Sequence, residues 1–275
     1  MTSEKLDIQL GQIQETLLLP LTARIVETKH KNGILSDPKS VEIGENLNFN
    51  YRQIENKITE IGVAGLATRA VQFDLQIKSF QQQHPKGKIL TLGAGLDTYY
   101  YRCDNGQNQW YDLDLEDSMH LRKQLLPIPN ERVHYITKSL FDVSWIKDIG
   151  PIEEGLLILV PGVFPYFEEE EVMNFLKIIA PQLASANILF DIISNFGKII
   201  INQKFKESGM NDVQLKWAAI DTQEFEKWSP NIKVVYTIPY FSGIKMKSRY
   251  NILTNISMRI NDFLLIGQIV KLKFV

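Results

Sequence analysis

The chain has 275 residues, 44% of them hydrophobic and 23% charged, with 30 basic and 32 acidic side chains. This is ordinary globular composition on a chain long enough for a sizeable core, which excludes the disordered, collagenous and simple coiled-coil classes. The net charge of −2 gives no bulk drive toward nucleic acid or an anionic membrane, and no apolar run approaches the ~20 residues of a membrane span.

A single cysteine, Cys103, rules out an internal disulfide framework and suits a reducing compartment. The histidines His30, His84, His120 and His134 are scattered, with no pair at zinc-ligand spacing. Residues Met1 to Leu10 mix Glu4, Lys5 and Asp7 with apolar side chains and lack the apolar block of a signal peptide. The expectation is a soluble, cytoplasmic enzyme or ligand-binding domain.

In chain order, Leu10, Ile13, Leu17, Leu21 and Ile25 recur at helical spacing, with Pro20 predicting a kink or two short helices. Gly33 reads as a stop, and Asp37-Pro38 as a start with Asp as cap and Pro in the first turn. A second helical stretch runs from Ile54 through Ile58, Ile61, Ala64, Ala67, Val71 and Leu75 to Phe80, and stops before His84-Pro85. After Lys88 the rhythm changes. Strand-like runs at Ile89–Leu92, Trp110–Leu113, Val133–Ile136, Leu156–Val160 and Ile188–Ile193 alternate with helical patterns such as Asp117–Leu126 and Glu168–Leu183. Alternation of this kind implies a parallel sheet with right-handed crossovers. Ile232–Ile238 and Phe263–Phe274 read as late strands that pair antiparallel at the sheet edge. The predicted fold is α/β: a doubly wound, mostly parallel sheet with a helical N-terminal cover over residues 1–84 and a core over 85–275, forming a single domain.

In such sheets ligands bind beyond the carboxyl ends of the strands. The first strand runs into Gly93-Ala94-Gly95-Leu96-Asp97-Thr98, where two glycines let backbone approach a ligand. The second ends in Tyr111-Asp112-Leu113-Asp114, which places an acid to accept hydrogen bonds from ribose hydroxyls; a helix cap is the plainer use of Asp114. A dinucleotide fingerprint wants a third glycine where Thr98 stands, and no triphosphate-binding loop is present. An adenosine ligand without phosphates fits better, and S-adenosylmethionine is the obvious candidate.

The segments ETLLLPLTARIVETK, LGAGLDT, WYDLDLEDSMHLRKQLL, SLFDVSWI and GVFPYFEEEEVMNFL resemble the leucine carboxyl methyltransferase family in order and spacing, over roughly residues 15–240. The family comprises class I S-adenosylmethionine-dependent enzymes, and its bacterial members include polyketide O-methyltransferases. The resemblance implies methyl transfer to oxygen of a small-molecule acceptor, carboxylate or hydroxyl, with S-adenosylmethionine as cofactor and neither nucleic acid nor membrane as partner. It also implies that Gly93 and Gly95 bracket the methionine part of the cofactor and that Asp114, with Asp112 as the other candidate, holds the ribose. Ser139 and Leu140 match adenine contacts. Arg69 in ATRAVQFD matches an arginine that meets the cofactor's carboxylate, and Arg24 in PLTAR looks similar. Tyr166 matches a tyrosine beside the acceptor, so Arg69 and Tyr166 are the expected positioning groups.

Plainer readings stand beside these: a surface cation for Arg69, packing for Tyr166 and a turn for Ser139. Glu168–Glu171 reads as an acidic first helical turn, and Lys245, Lys247 and Arg249 as a solvated basic cluster. Two positions depart from the family pattern. Pro161 stands where the family has a glutamate that contacts the cofactor, and Tyr99 where it has an arginine, with Arg102 close behind. Pro161 motivates an alternative, a cofactor-binding protein without turnover; a nicotinamide oxidoreductase is a third reading, disfavoured by Thr98.

Overall fold

The strand-like runs of the middle of the chain become one sheet. A computed structural model of the chain describes residues 5, 6, 16–245 and 249–275; Leu10, Ile13 and Lys247 of the readings above lie outside them. The strands are β1 (Lys88–Leu92), β2 (Gln109–Asp114), β3 (Val133–Thr137), β4 (Leu156–Val160), β5 (Asn187–Ile193), β6 (Ile232–Pro239) and β7 (Gly267–Phe274). Their order is β3-β2-β1-β4-β5-β7-β6. The first five are parallel, and β7 runs antiparallel between β5 and β6. Strands covered on both faces read as continuous apolar runs, and the wholly buried LLILV of β4 is the clearest case. The predicted strand over Phe263–Phe274 divides: Phe263 ends a helix, and the strand starts at Gly267.

The helices in chain order are α1 (Leu18–Lys29), α2 (Pro38–Asn46), α3 (Tyr51–Lys57), α4 (Glu60–Gln83), α5 (Tyr99–Cys103), α6 (Glu116–Leu125), α7 (Trp145–Ile149), α8 (Glu169–Ile179), α9 (Asn195–Glu207), α10 (Glu224–Trp228) and α11 (Ile252–Phe263). Pro20 falls in the first turn of α1, where a missing N–H costs nothing, so no kink is needed. The stretch read as one helix over 54–80 is two, because Thr59 caps α4 by accepting from Gly62 N. Asp37 caps α2 as predicted, accepting from Ser40 N at 3.1 Å. Glu168 and Glu171 form a reciprocal capping box on α8, the structural use expected of that acidic run.

Helix α4 carries the cover onto the sheet. Phe73, Ile77 and Phe80 are buried with Ile89, Leu157, Leu159, Leu189 and Ile269 in one cluster. Burial of each such side chain contributes ~1.5–3 kcal/mol, so this face of the helix is firmly fixed. Arg69 lies four residues before Phe73, on the same face and one turn further along. That register delivers its guanidinium past the sheet to the strand ends. The opposite face of the sheet is packed by Phe164, Phe175, Leu176 and Ile179 against Leu90, Ile158, Val160 and Phe190. The strand order reverses between β1 and β4, which opens a crevice beyond their carboxyl ends. Arg249 does not belong to a solvated cluster: its Nε donates to the buried Glu27 at 2.9 Å. Among the described residues, no helix is long and apolar enough to cross a membrane.

Candidate functional site

Beyond β1 the chain turns through Gly93 and Gly95, at φ of +68° and +46°. A Cβ on Gly93 would stand 2.5 Å from a methyl of Val163, and one on Gly95 2.6 Å from a methyl of Leu17, but it is the left-handed backbone angle that calls for glycine at both. Most of the polar backbone of this turn has an internal partner, as buried backbone requires. Gly93 N and Ala94 N donate to Leu113 O at 2.9 and 3.0 Å, and Gly95 N donates to Asp114 Oδ2 at 2.6 Å. Arg24 Nη2 donates to Leu96 O at 2.8 Å, while Arg122 Nη1 serves the carbonyls of Gly95 and Asp97 at 2.9 and 2.8 Å.

Beneath the turn lies a network of buried charges. Asp37 accepts from Arg24 Nε at 3.1 Å, from Arg102 Nη1 at 2.8 Å, and from the hydroxyls of Thr98 and Ser40. Arg102 also grips Asp74 through two nitrogens, at 2.8 and 2.9 Å. Burial alone would push the Asp37 carboxyl up, but the guanidiniums of Arg102 and Arg24, with the hydroxyl donors, hold it below the usual carboxylate value. Tyr99 is a buried core residue beneath the guanidinium of Arg102.

The expected site residues fall into two groups. Arg24, Arg69, Gly93, Gly95, Asp114, Ser139, Leu140, Pro161 and Tyr166 all line one cavity. Asp112 does not: it is buried outside that lining and ion-paired with Arg122. Its place is therefore behind the glycine turn, where it steadies the arginine that holds the turn's carbonyls. Asp114 accepts from Leu115 N at 2.7 Å as well as from Gly95 N. Burial raises its carboxyl pKa, against the lowering pull of those two donors. Ser139 Oγ accepts from Phe141 N at 3.3 Å and shapes the turn after β3. Tyr166, in the 3-10 turn Phe164–Tyr166, has its phenol pushed up by burial, opposed by a hydrogen bond with Thr16.

Arg69 meets two residues that the sequence reading missed. Its Nη1 lies 3.3 Å from Asp191 Oδ2, and the hydroxyl of Tyr240 donates to the same oxygen at 2.8 Å. Asp191 Oδ1 accepts from Gly162 N. Gly162, at φ +68°, lies directly under the guanidinium, where a Cβ would collide with it. Burial disfavours the charged form of Arg69, but the Asp191 carboxylate, together with Tyr240, Tyr99 and Asp97, outweighs it and raises the pKa. The signal for Asp191 was present: a lone acid inside the apolar run Asn187–Ile193 is costly unless paired. Tyr240 carries no such local signal.

The cavity measures about 1470 Å³. Ordinary small-molecule sites occupy ~300–1,000 Å³, so this one has room for two ligands side by side. Its lining includes the glycine turn with Asp114 and a set of apolar side chains, Phe196, Ile200, Phe205, Leu215, Phe241 and Ile260, interspersed with polar ones such as Lys204, Asp212 and Lys216. No histidine lines it among the described residues.

No family model matches the chain. An S-adenosyl-L-methionine-dependent methyltransferase from Gibberella zeae, dpfgK, is 25% identical and aligns over 97% of this chain and 95% of its own length. The tetracenomycin polyketide synthesis O-methyltransferase TcmP of Streptomyces glaucescens is 27% identical over 68% of each chain. A solved Thermobifida fusca structure assigned to the methyltransferases superposes with a TM-score of 0.63 at 12% identity, covering 92% of this chain and 94% of that one. The fold is therefore shared across nearly the whole length, and both sequence relatives are methyltransferases by name: the chain is similar to S-adenosylmethionine-dependent methyltransferases in sequence and has a methyltransferase fold.

Proposed function

We propose that the protein methylates an oxygen of a small, largely apolar acceptor, in the cytoplasm, with the cover and the sheet acting as a single domain. The observation that carries this reading is a large cavity lined both by the glycine turn and by apolar side chains. The likeness to TcmP supports oxygen as the atom methylated. The buried free thiol of Cys103 suits a reducing compartment. The site draws Arg24 and Arg69 from the cover and Asp114, Pro161 and Asp191 from the sheet side, which supports one functional unit.

The residues fit S-adenosylmethionine. The Gly93–Gly95 turn offers backbone where a Cβ would fill the space, Asp114 offers a carboxylate to the ribose hydroxyls, and Ser139 and Leu140 flank the adenine side. When bound, the cofactor supplies a methyl group already activated on a sulfonium. Transfer in line then needs alignment more than covalent help, and positioning alone can supply ~7–11 kcal/mol of the barrier. Arg69 and Tyr166 do that positioning. A hydroxyl acceptor would need a base, and the groups around Arg69 are poor ones. Tyr166 and Tyr240 have phenols raised above their usual value by burial, and Asp191 is paired with Arg69. A carboxylate acceptor, ionised near neutrality, needs none. The groups beside Arg69 therefore favour an acceptor acid that leaves as its methyl ester.

The test is transfer of tritium from methyl-labelled S-adenosylmethionine into a panel of aromatic and aliphatic acids, with calorimetry of cofactor binding alongside. Base-labile label in the acid fraction is expected. Binding without transfer to any acid or phenol would overturn the assignment of the acceptor atom.

A further inference from the structure

The Asp191 carboxylate is 2% exposed yet lines the cavity, and three donors hold it: Gly162 N on Oδ1, and the Tyr240 hydroxyl and Arg69 Nη1 on Oδ2. An ionised carboxylate has about four acceptor directions, so one is left. Arg69 uses one nitrogen on Asp191, out of a fork carrying five donor hydrogens in general. A buried ion pair adds little stability over apolar packing, because desolvation offsets its attraction. A pair turned toward a ligand chamber, with donor and acceptor capacity to spare, is instead a complement to a ligand that carries both charges.

We infer that Asp191 completes a clamp for the α-amino acid end of the cofactor, taking its ammonium beside the carboxylate that the family resemblance already gives to Arg69. This rests on the reading of the cavity as an S-adenosylmethionine site. A simple anion is a worse fit, since Asp191 would repel what Arg69 attracts; a zwitterion satisfies both. The strand register explains why no acid is needed at the end of β4. Val160 pairs with Phe190, so Pro161 stands opposite Asp191, and the anion comes from β5 instead. Tyr240 keeps the carboxylate aimed. Its ring is seated on Gly267, where a Cβ would lie 2.6 Å from it.

Calorimetry with S-adenosylhomocysteine and with its analogue lacking only the α-amino group reads the clamp directly. The unaltered protein should prefer the amino form by ~10- to 150-fold, the worth of a hydrogen bond between charged groups. Asp191→Asn should erase that preference by weakening the amino form alone. Pro161→Glu should leave the affinity equal or lower, because the ammonium already has its anion. No preference in the unaltered protein, equal loss of both ligands in Asp191→Asn, or a tighter complex in Pro161→Glu would each overturn the clamp. Failure of the unaltered protein to bind S-adenosylhomocysteine at all is a different result, and overturns the cofactor reading beneath it. Should Asp191→Asn not melt as a folded protein, a crystal structure of the unaltered complex decides. Ammonium nitrogen within hydrogen-bond reach of Asp191 supports the clamp, and nitrogen beyond 4 Å, roughly the limit of an ion pair, refutes it.

Discussion

Asp114 does two jobs with one carboxylate. It accepts from Gly95 N and Leu115 N, so it orders the turn, and it faces the cavity where ribose hydroxyls would bind. Asp114→Ala should therefore weaken S-adenosylhomocysteine by ~10- to 150-fold and also cost the fold about 1–3 kcal/mol for stranded donors. Paired calorimetry and thermal melts check both halves. A purely local cap would lower the melt and spare the affinity. Hydroxyl donors favour the ionised acid, whose pKa burial has raised above its usual value. Affinity should accordingly fall as the pH drops through that raised pKa, and Asp114→Asn should flatten this acid limb. Arg69→Lys keeps the charge but not the fork that spans Asp191 and a second carboxylate. It should bind cofactor nearly as poorly as Arg69→Ala; full affinity in the lysine variant would reduce Arg69 to a point charge.

The glycine turn is an element stabilised from outside itself. Its carbonyls are served by Arg24 from α1 and Arg122 from α6, while Asp37, ahead of α2, ties Arg24 to Arg102 of α5. Four helices thus converge on one loop. Asp37→Asn leaves two buried guanidiniums short of an anion, and removing one partner from such a network typically costs ~3–5 kcal/mol. The folded-state pKa of Asp37 is depressed, so the stability it contributes is full above the unfolded value of about 3.9 and is lost as the pH falls through the folded value. Chemical denaturation at neutral pH should show the loss, and the variant should lack part of the acid-unfolding limb. An unchanged midpoint would mean that Asp74 and Asp97, which also pair with Arg102, suffice alone.

At the scale of the whole molecule, the cavity lies between cover and sheet, so ligand bridges them. S-adenosylhomocysteine at 100 times its dissociation constant should add ~2.7 kcal/mol to the folded state. On a chain of this size that is an upward shift in Tm of roughly 5–10 °C. If cover and sheet form one domain, calorimetry should give a single transition that moves as a unit. Two transitions, only one of them moved by ligand, would separate the cover from the core.

The sequence by itself determined most of the elements and the glycine turn after the first strand. Apolar runs of strand length, the His84-Pro85 stop and the Gly93-x-Gly95 turn are local signals, set by backbone angles and by burial on both faces of a strand. Their meaning does not depend on what lies across the fold. The tertiary structure alone decided which charges meet. Asp112 and Asp114 are two residues apart and so share one face of the strand, yet Asp112 pairs with Arg122 behind the turn while Asp114, at the strand's end, lines the cavity. Arg69, Asp191 and Tyr240 are separated by 122 and 49 residues and meet only because α4 packs across β4 and β5 while β7 inserts beside β5. The sequence shows Pro161 as a departure from the family pattern; that Asp191 of the neighbouring strand lies beside it, accepting from Gly162 N, is visible only in the folded sheet.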